Sequence, residues 1–355
     1  MAVNVHTKKS PILRMYEADT KPTAAKKRRR TNQALLVLVP LAVVSGLVSN
    51  TIGVEWAIQP ATIHGGIALA IAVLTPWKAP IVQRGLGRNR TSRWTSLLLL
   101  AVIGITLLSG LLHSTALVTR IGPLTLMQVH IGGAIIALAL IVAHYRAHPV
   151  PMRKTDLDRR ALLSAAGIGI AGAVMWVGWE RVLGFTGSLG AERRFTGSHE
   201  RGSFDPAAMP VTSWWDDDVQ HIASDEWSVR IDGRSLSLSD LELLPSDDVT
   251  AILDCTSAWY SEQVWTGVRL DRLIDTHKQS IDVTSATGYG RRFSTRDLDK
   301  LWLVTAAGGR PLSAGHGFPA RIVAPGKRGF WWVKWVVAVE PTDIPWWRQL
   351  PFPVS

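Results

Sequence analysis

Five long runs free of Asp, Glu, Lys and Arg punctuate the first half of the chain, at about 34–54, 61–77, 94–114, 124–144 and 161–179. A helix of ~17–25 apolar residues crosses a bilayer, and backbone groups in hydrocarbon must be satisfied within the segment. Each run therefore predicts a membrane-crossing helix. Past residue 184 the pattern shortens to alternating stretches bounded by turns. Strands are predicted at 227–233, 249–255, 281–286, 301–305, 320–324 and 332–339, and helical stretches at 238–243, 267–275 and 296–301. Residues 184–220 read as irregular. The fold class is thus a five-helix membrane domain followed by an α+β domain, with boundaries at 1–33 (a basic tail), 34–183 and 184–355.

Charge fixes the orientation. The 355 residues carry a formal net charge of +11 and a pI near 10.1, which on a folded surface would suggest nucleic acid. The charge is segregated instead. Residues 1–33, 78–93 and 145–160 hold +7, +5 and +3, whereas 180–355 hold −4. Basic segments alternating with apolar runs obey the positive-inside rule, so nucleic acid is excluded as a partner and membrane lipid takes its place. Cytoplasmic basic segments put the N-terminus inside and the C-terminal domain outside the cell membrane. The fifth run opens with Asp158-Arg159-Arg160-Ala161-Leu162-Leu163. That pattern resembles a twin-arginine export signal, which carries folded cargo, and it equally suits ordinary positive-inside anchoring.

Histidines supply candidate chemistry in the membrane. His64, His113, His130 and His144 lie within or at the ends of the runs, and imidazole inside lipid usually marks function. His64 and His130 are the preferred axial pair for haem b, with His113 as an alternative ligand at similar depth. His130 and His144 share a helix face, but His144 has no evident partner. Interhelical or headgroup hydrogen bonding is the plainer reading of all four. A haem would exchange electrons with a quinone pool or another membrane carrier. A transport protein has little support, since no run carries a charge or a broken midsection.

The single cysteine excludes an internal disulfide framework and any Cys-cluster metal site. Cys255 closes an apolar strand, as either a buried small hydrophobe or a reactive or metal-bound thiolate. Its surroundings decide. Cys255, Trp259, Trp265-Thr266-Gly267-Val268 and Leu270 resemble the molybdenum-ligand segment of the sulfite oxidase superfamily, with most likeness to the periplasmic methionine-sulfoxide reductase branch. A second block resembles the same family, Pro311-Leu312-Ser313-Ala314-Gly315-His316-Gly317-Phe318-Pro319-Ala320-Arg321, running on through Pro325–Phe330 to Val333-Lys334-Trp335. The likeness spans roughly 200–345. The whole resembles membrane-anchored molybdopterin oxidoreductases of actinobacterial type, with a cytochrome b-like part on the same chain.

The resemblance implies Mo-molybdopterin with Cys255 as metal ligand. A soft thiolate suits a sulfur-rich metal, and a phosphate needs cationic donors, here Lys327, Arg328, Arg321 and Lys334. By family analogy His316 hydrogen-bonds the pterin or its phosphate. Tyr289 and Tyr260 either line the pocket, Tyr289 then as a catalytic group, or pack. Sulfite oxidases proper carry an arginine shortly after the cysteine, where this chain reads Thr256-Ser257-Ala258-Trp259. Arg230, Arg291 or Arg292 would have to fold into its place. The expected activity is oxo transfer, with S-oxide or N-oxide reduction, on a small or methionine-sulfoxide-type substrate, favoured over sulfite oxidation. The alternative is a haem-free anchor carrying a degenerate binding module.

Overall fold

The computed structural model describes residues 11–86, 92–147, 159–214 and 217–352. Most of the basic loop 145–160, with His148, lies outside them, as do parts of the other basic segments. The chain forms two compact units. The first comprises the stretches up to Gly46, Pro60–His113 and Gln128–Gly187; the second comprises Leu47–Gln59, Ser114–Met127 and Ser188 onward.

The helices are α1 (Pro11–Thr51), α2 (Ile58–Leu86), α3 (Ser92–Thr115), α4 (Leu126–Ala147) and α5 (Arg159–Phe185). Among the described residues five segments are long and apolar enough to cross a membrane: Arg29–Thr51, Glu55–Ala79, Arg93–Thr115, Leu126–Ala147 and Ala165–Phe185. The fifth begins and ends several residues later than the sequence suggests and so takes in Glu180 and Arg181. The third and fourth are joined by a small hairpin, β1 (Arg120–Ile121) and β2 (Leu124–Thr125).

Small residues let helices of the first unit approach closely. A Cβ on Gly172 would overlap the carbonyl of Gly66, and one on Gly66 would stand 3.0 Å from the amide of Ala173. The same device operates around two imidazoles: a Cβ on Gly46 would stand 2.9 Å from the His64 ring, and one on Gly110 would stand 2.8 Å from Nδ1 of His130.

The second unit is built from two sheets. One holds β3 (His199–Glu200), β6 (Asp247–Cys255), β7 (Trp259–Arg269), β10 (Trp302–Ala307), β11 (Arg310–Pro311) and β12 (Arg321–Val323). Its spine runs β11-β10-β7-β3, with β6 on β7 and β12 on β10. The other runs β5 (Arg234–Ser237), β4 (Ser228–Ile231), β13 (Val336–Thr342), β8 (Ser280–Ser285) and β9 (Gly290–Ser294). One apolar cluster draws on both, with Leu253, Trp265 and Leu303 from the first and Ile231, Val283 and Val339 from the second. The indole of Trp265 is fully buried, and its Nε1 donates to Ala251 O at 3.1 Å, the partner a buried indole requires. The short α6 (Leu238–Glu242) starts on a reciprocal capping box between Ser237 and Asp240.

Two sequence expectations are corrected. Residues 267–269 stay in β7 because β10 pairs them, Val304↔Gly267, Leu303↔Val268 and Trp302↔Arg269, leaving only a 3₁₀ turn at Leu270–Arg272. Residues 332–335 are not strand. The backbone groups of Trp332 and Val333 are taken by Arg321 and by the amide of Ile322, so β13 starts at Val336.

A Cβ on Gly267 would overlap Leu303 O and Val304 Cα of β10. Gly267→Val should therefore destabilise the second unit by about 1–3 kcal/mol, the usual cost of overpacking. A lowered urea midpoint is expected, and an unchanged one would contradict this register.

Candidate functional site

Cys255 ends β6, and the next three residues close the hairpin to β7, with Cys255 paired to Trp259. The amide of Ala258 donates to Cys255 O at 3.2 Å, and Ala258 itself sits at φ 75°. This is a tight turn followed by a left-handed residue, a common three-residue hairpin loop. The loop turns the amide of Ser257 onto Cys255 Sγ, at 3.5 Å.

Cys255 is half-buried and opens into a partly open cavity of about 50 Å³, shared with Thr212, Trp259, His316, Arg321 and Lys334. Arg321, on β12, is fully buried against the rings of Trp265 and Trp332, whose centroids lie 5.2 and 5.7 Å from the guanidinium. It donates to His316 O at 3.0 Å and Trp332 O at 3.2 Å, while its Nε has no partner. Lys334 Nζ donates to Gly315 O at 2.6 Å and Thr212 O at 2.9 Å. Gly317, at φ 105°, lets the two approach: a Cβ there would stand 3.1 Å from the Cβ of each. Neither cation forms an ion pair among the described residues.

The electrostatics follow from this crowding. Burial pushes the Arg321 guanidinium down to about 9, and its electrostatic interaction with Cys255 draws it part of the way back. Lys334 falls to about 7, through burial and then repulsion from Arg321, against the pull of Cys255 and Asp217. His316 falls to about 4 through burial, Arg321 and Lys334. Its Nε2 faces Met209 O at 3.1 Å and its Nδ1 faces Ser313 Oγ at 2.8 Å. A carbonyl can only accept, so His316 is neutral with the proton on Nε2 and accepts from the serine hydroxyl.

Other candidates lie elsewhere. Arg328 is fully buried and ion-paired to Asp254, and Lys327 pairs with Asp297 at 3.3 Å beneath the ring of Trp331. Neither lines the cavity. Tyr289 is buried, and its hydroxyl donates to Phe330 O. Burial raises its pKa above the ordinary tyrosine value, and the charges of Asp217 and Cys255 add to the rise. Tyr260 lies under the guanidinium of Arg194. Arg230 pairs with Glu340 and Arg292 with Asp282, while Arg291 stacks on Trp331 at 4.1 Å and donates to Leu350 O. Sequence reasoning missed Thr212 and Met209, which reach the site from the irregular segment, and Asp254. A carboxylate interrupting the apolar run 251–255 was the available signal for Asp254.

In the first unit the rings of His64 and His130 meet edge to face with centroids 5.8 Å apart. His64 Nδ1 faces Ala42 O at 2.9 Å and His130 Nδ1 faces Thr106 O at 2.8 Å. Each carbonyl fixes the proton on Nδ1 and leaves Nε2 as a lone-pair donor. His113 is buried, and His144 Nδ1 lies 3.3 Å from Ser96 Oγ.

With this geometry in view, the likenesses to known proteins are specific. Residues 216–347 match the family model of the oxidoreductase molybdopterin binding domain. Mitochondrial sulfite oxidase of Homo sapiens is 29% identical over 31% of this chain, and that of Mus musculus 31% identical over 31%. The chain covers 27% of the length of each. Among solved structures, sulfane dehydrogenase SoxCD from Paracoccus pantotrophus matches 35% of this chain and 40% of its own, at 23% identity and a TM-score of 0.34. The C-terminal region is thus a molybdopterin-binding oxidoreductase domain. The sequence relatives of this region support a likeness to the sulfite oxidase superfamily.

The residues fit that cofactor. Two desolvated cations with no ion-pair partner among the described residues, one with an orphaned Nε, face the half-buried Cys255, and molybdopterin would be anionic at both dithiolene and phosphate. In cofactor-free protein the cations cost stability. Lys334 is charged in both folded and unfolded chains below pH 7, and between about 7 and 10 the unfolded chain binds more protons. Stability of the cofactor-free protein should therefore rise from pH 7 to 9, and Lys334→Met should flatten that rise. Denaturant midpoints across this range provide the measurement, and a wild-type midpoint that falls would contradict the assignment.

Proposed function

We propose that the chain is a membrane-anchored molybdopterin-dependent oxidoreductase whose second unit works outside the cell membrane. The observation that carries this reading is the convergence of Cys255, Arg321, Lys334 and His316 on one cavity. Cys255 binds the metal and Arg321 and Lys334 neutralise the anionic group, while His316, both its ring nitrogens held by Met209 O and Ser313 Oγ, forms cavity wall in place of the expected hydrogen bond to the pterin. When bound, molybdopterin supplies a two-electron oxo-transfer centre. Tyr289, its pKa raised, stays protonated through the physiological range and holds a proton beside Phe330 O. The favoured reaction is reduction of an S-oxide or N-oxide, in which the oxide takes two electrons and two protons to release water and the sulfide or amine. Its support is that Arg230 and Arg292 are ion-paired to Glu340 and Asp282 and that none of Arg230, Arg291 and Arg292 lines the cavity. Sulfite-type oxidation is the second reading, favoured by the names of the curated relatives.

Five apolar helices are compatible with a multi-pass membrane protein, and the alternating basic segments support a cytoplasmic N-terminus. His64 and His130 are the residues that would hold a haem b, and their carbonyl-anchored Nδ1 atoms support it. Electrons would then pass singly between quinone and the external centre.

Two measurements test this. Purified wild type should contain molybdenum and Cys255→Ser should lose it; wild type without molybdenum overturns the enzyme reading. Reduced-minus-oxidised spectra should show haem b bands that vanish in His64→Ala and in His130→Ala. Absence of those bands in wild type would leave the first unit as a haem-free anchor.

A further inference from the structure

Asp254 stands immediately before the metal ligand and is 2% exposed. Neighbouring strand residues point to opposite faces, so its carboxylate lies behind the strand from Cys255 Sγ. Four side chains donate to it: Ser198 Oγ at 2.6 Å, Thr196 Oγ1 at 2.7 Å, Arg194 Nε at 3.2 Å and Arg328 Nη1. Two of those donors also grip the backbone of the ligand. Arg328 Nη2 donates to Cys255 O at 3.2 Å, and Ser198 Oγ reaches the same oxygen at 3.4 Å. Arg328 Nη2 also meets Asn50 Oδ1 at 3.3 Å, from a segment of the same unit. Gly329 makes room for this, since a Cβ there would stand 3.1 Å from Cys255 Cα.

A buried ion pair is poor value for stability alone, because desolvating both charges offsets their attraction and an apolar pair of similar volume does as well or better. Charges and hydrogen bonds next to a metal thiolate do change its redox behaviour. We propose that Asp254 and Arg328 form a buried charge pair that positions Cys255 and sets the reduction potential of the metal it binds. Both are positioning residues, since neither lines the cavity. The inference rests on the molybdenum reading above.

The pair predicts shifts of opposite sign. Asp254→Asn leaves Arg328 uncompensated, which favours the reduced metal. The Mo(VI)/Mo(V) equilibrium should move about tenfold toward reduction, about +59 mV for one electron. Arg328→Met leaves the carboxylate with Arg194 as its one remaining ion-pair partner among the described residues and should move the equilibrium the other way, by about threefold. Ser198→Ala keeps the ion pair, so it reports even if the charge variants fail to fold. It removes the hydroxyl donor from Asp254 beside Cys255 O and should lower the potential about threefold in equilibrium constant while changing the Mo(V) paramagnetic spectrum. Full-length protein in detergent is titrated by redox potentiometry with Mo(V) resonance as readout, alongside molybdenum content. Variants that keep their molybdenum with wild-type potential and spectrum overturn this inference and leave the molybdenum reading intact. Wild type without molybdenum overturns that reading, and this inference with it.

Discussion

The second unit is organised around positive charge that meets no ion-pair partner among the described residues. Arg321 and Lys334 are desolvated, they repel each other, and carbonyl oxygens satisfy part of their hydrogen bonding but none of their charge. Taking an ion out of water costs several kcal/mol even after relaxation. The surrounding structure carries that cost through the Trp265 and Trp332 rings against the guanidinium, the left-handed Gly317 and the sheets beneath. An anionic group entering the cleft recovers it. Pre-set charge of this kind binds without reorganising, and so specifies the sign and position of its ligand before the ligand arrives.

A parallel economy holds in the first unit. Two imidazoles on α2 and α4 each surrender Nδ1 to a backbone carbonyl, and glycines on α1 and α3 lie flush against the rings. Orientation and tautomer are thereby set by main chain, which does not change rotamer. Side-chain anchors of ordinary flexibility would leave ring direction loosely defined.

Much of this was legible in the chain, for stated physical reasons. Runs such as 94–114 and 124–144 declare themselves by length and freedom from charge, and they differ from the observed helices by a few residues. The block around Cys255 and that from Pro311 to Lys334 pointed to residues that share a cavity in Cys255, His316, Arg321 and Lys334. The same blocks grouped Lys327 and Arg328 with them, and those two do not line that cavity. Arg328 turns to Asp254 and Lys327 to Asp297, partners distant in sequence that no local pattern announces. Long β7 escaped notice as a strand because its alternating face was read only as a motif. The expected strand at 332–335 gave way to hydrogen bonds made by Arg321 and Ile322, again nonlocal.

The second unit is assembled from three separate stretches of chain, not one. Ser188 Oγ donates to Thr115 O at 2.9 Å, Arg193 Nη1 donates to Ser114 O at 3.2 Å, and Leu47–Gln59 belongs to the same body. Severing the polypeptide before Ser188 would deprive the remainder of two of its own loops and of the acceptors those side chains use. The catalytic half is therefore no detachable cassette. Recombination that swapped it for a relative's would have to exchange the two helix-connecting loops as well, which ties the inheritance of both halves together.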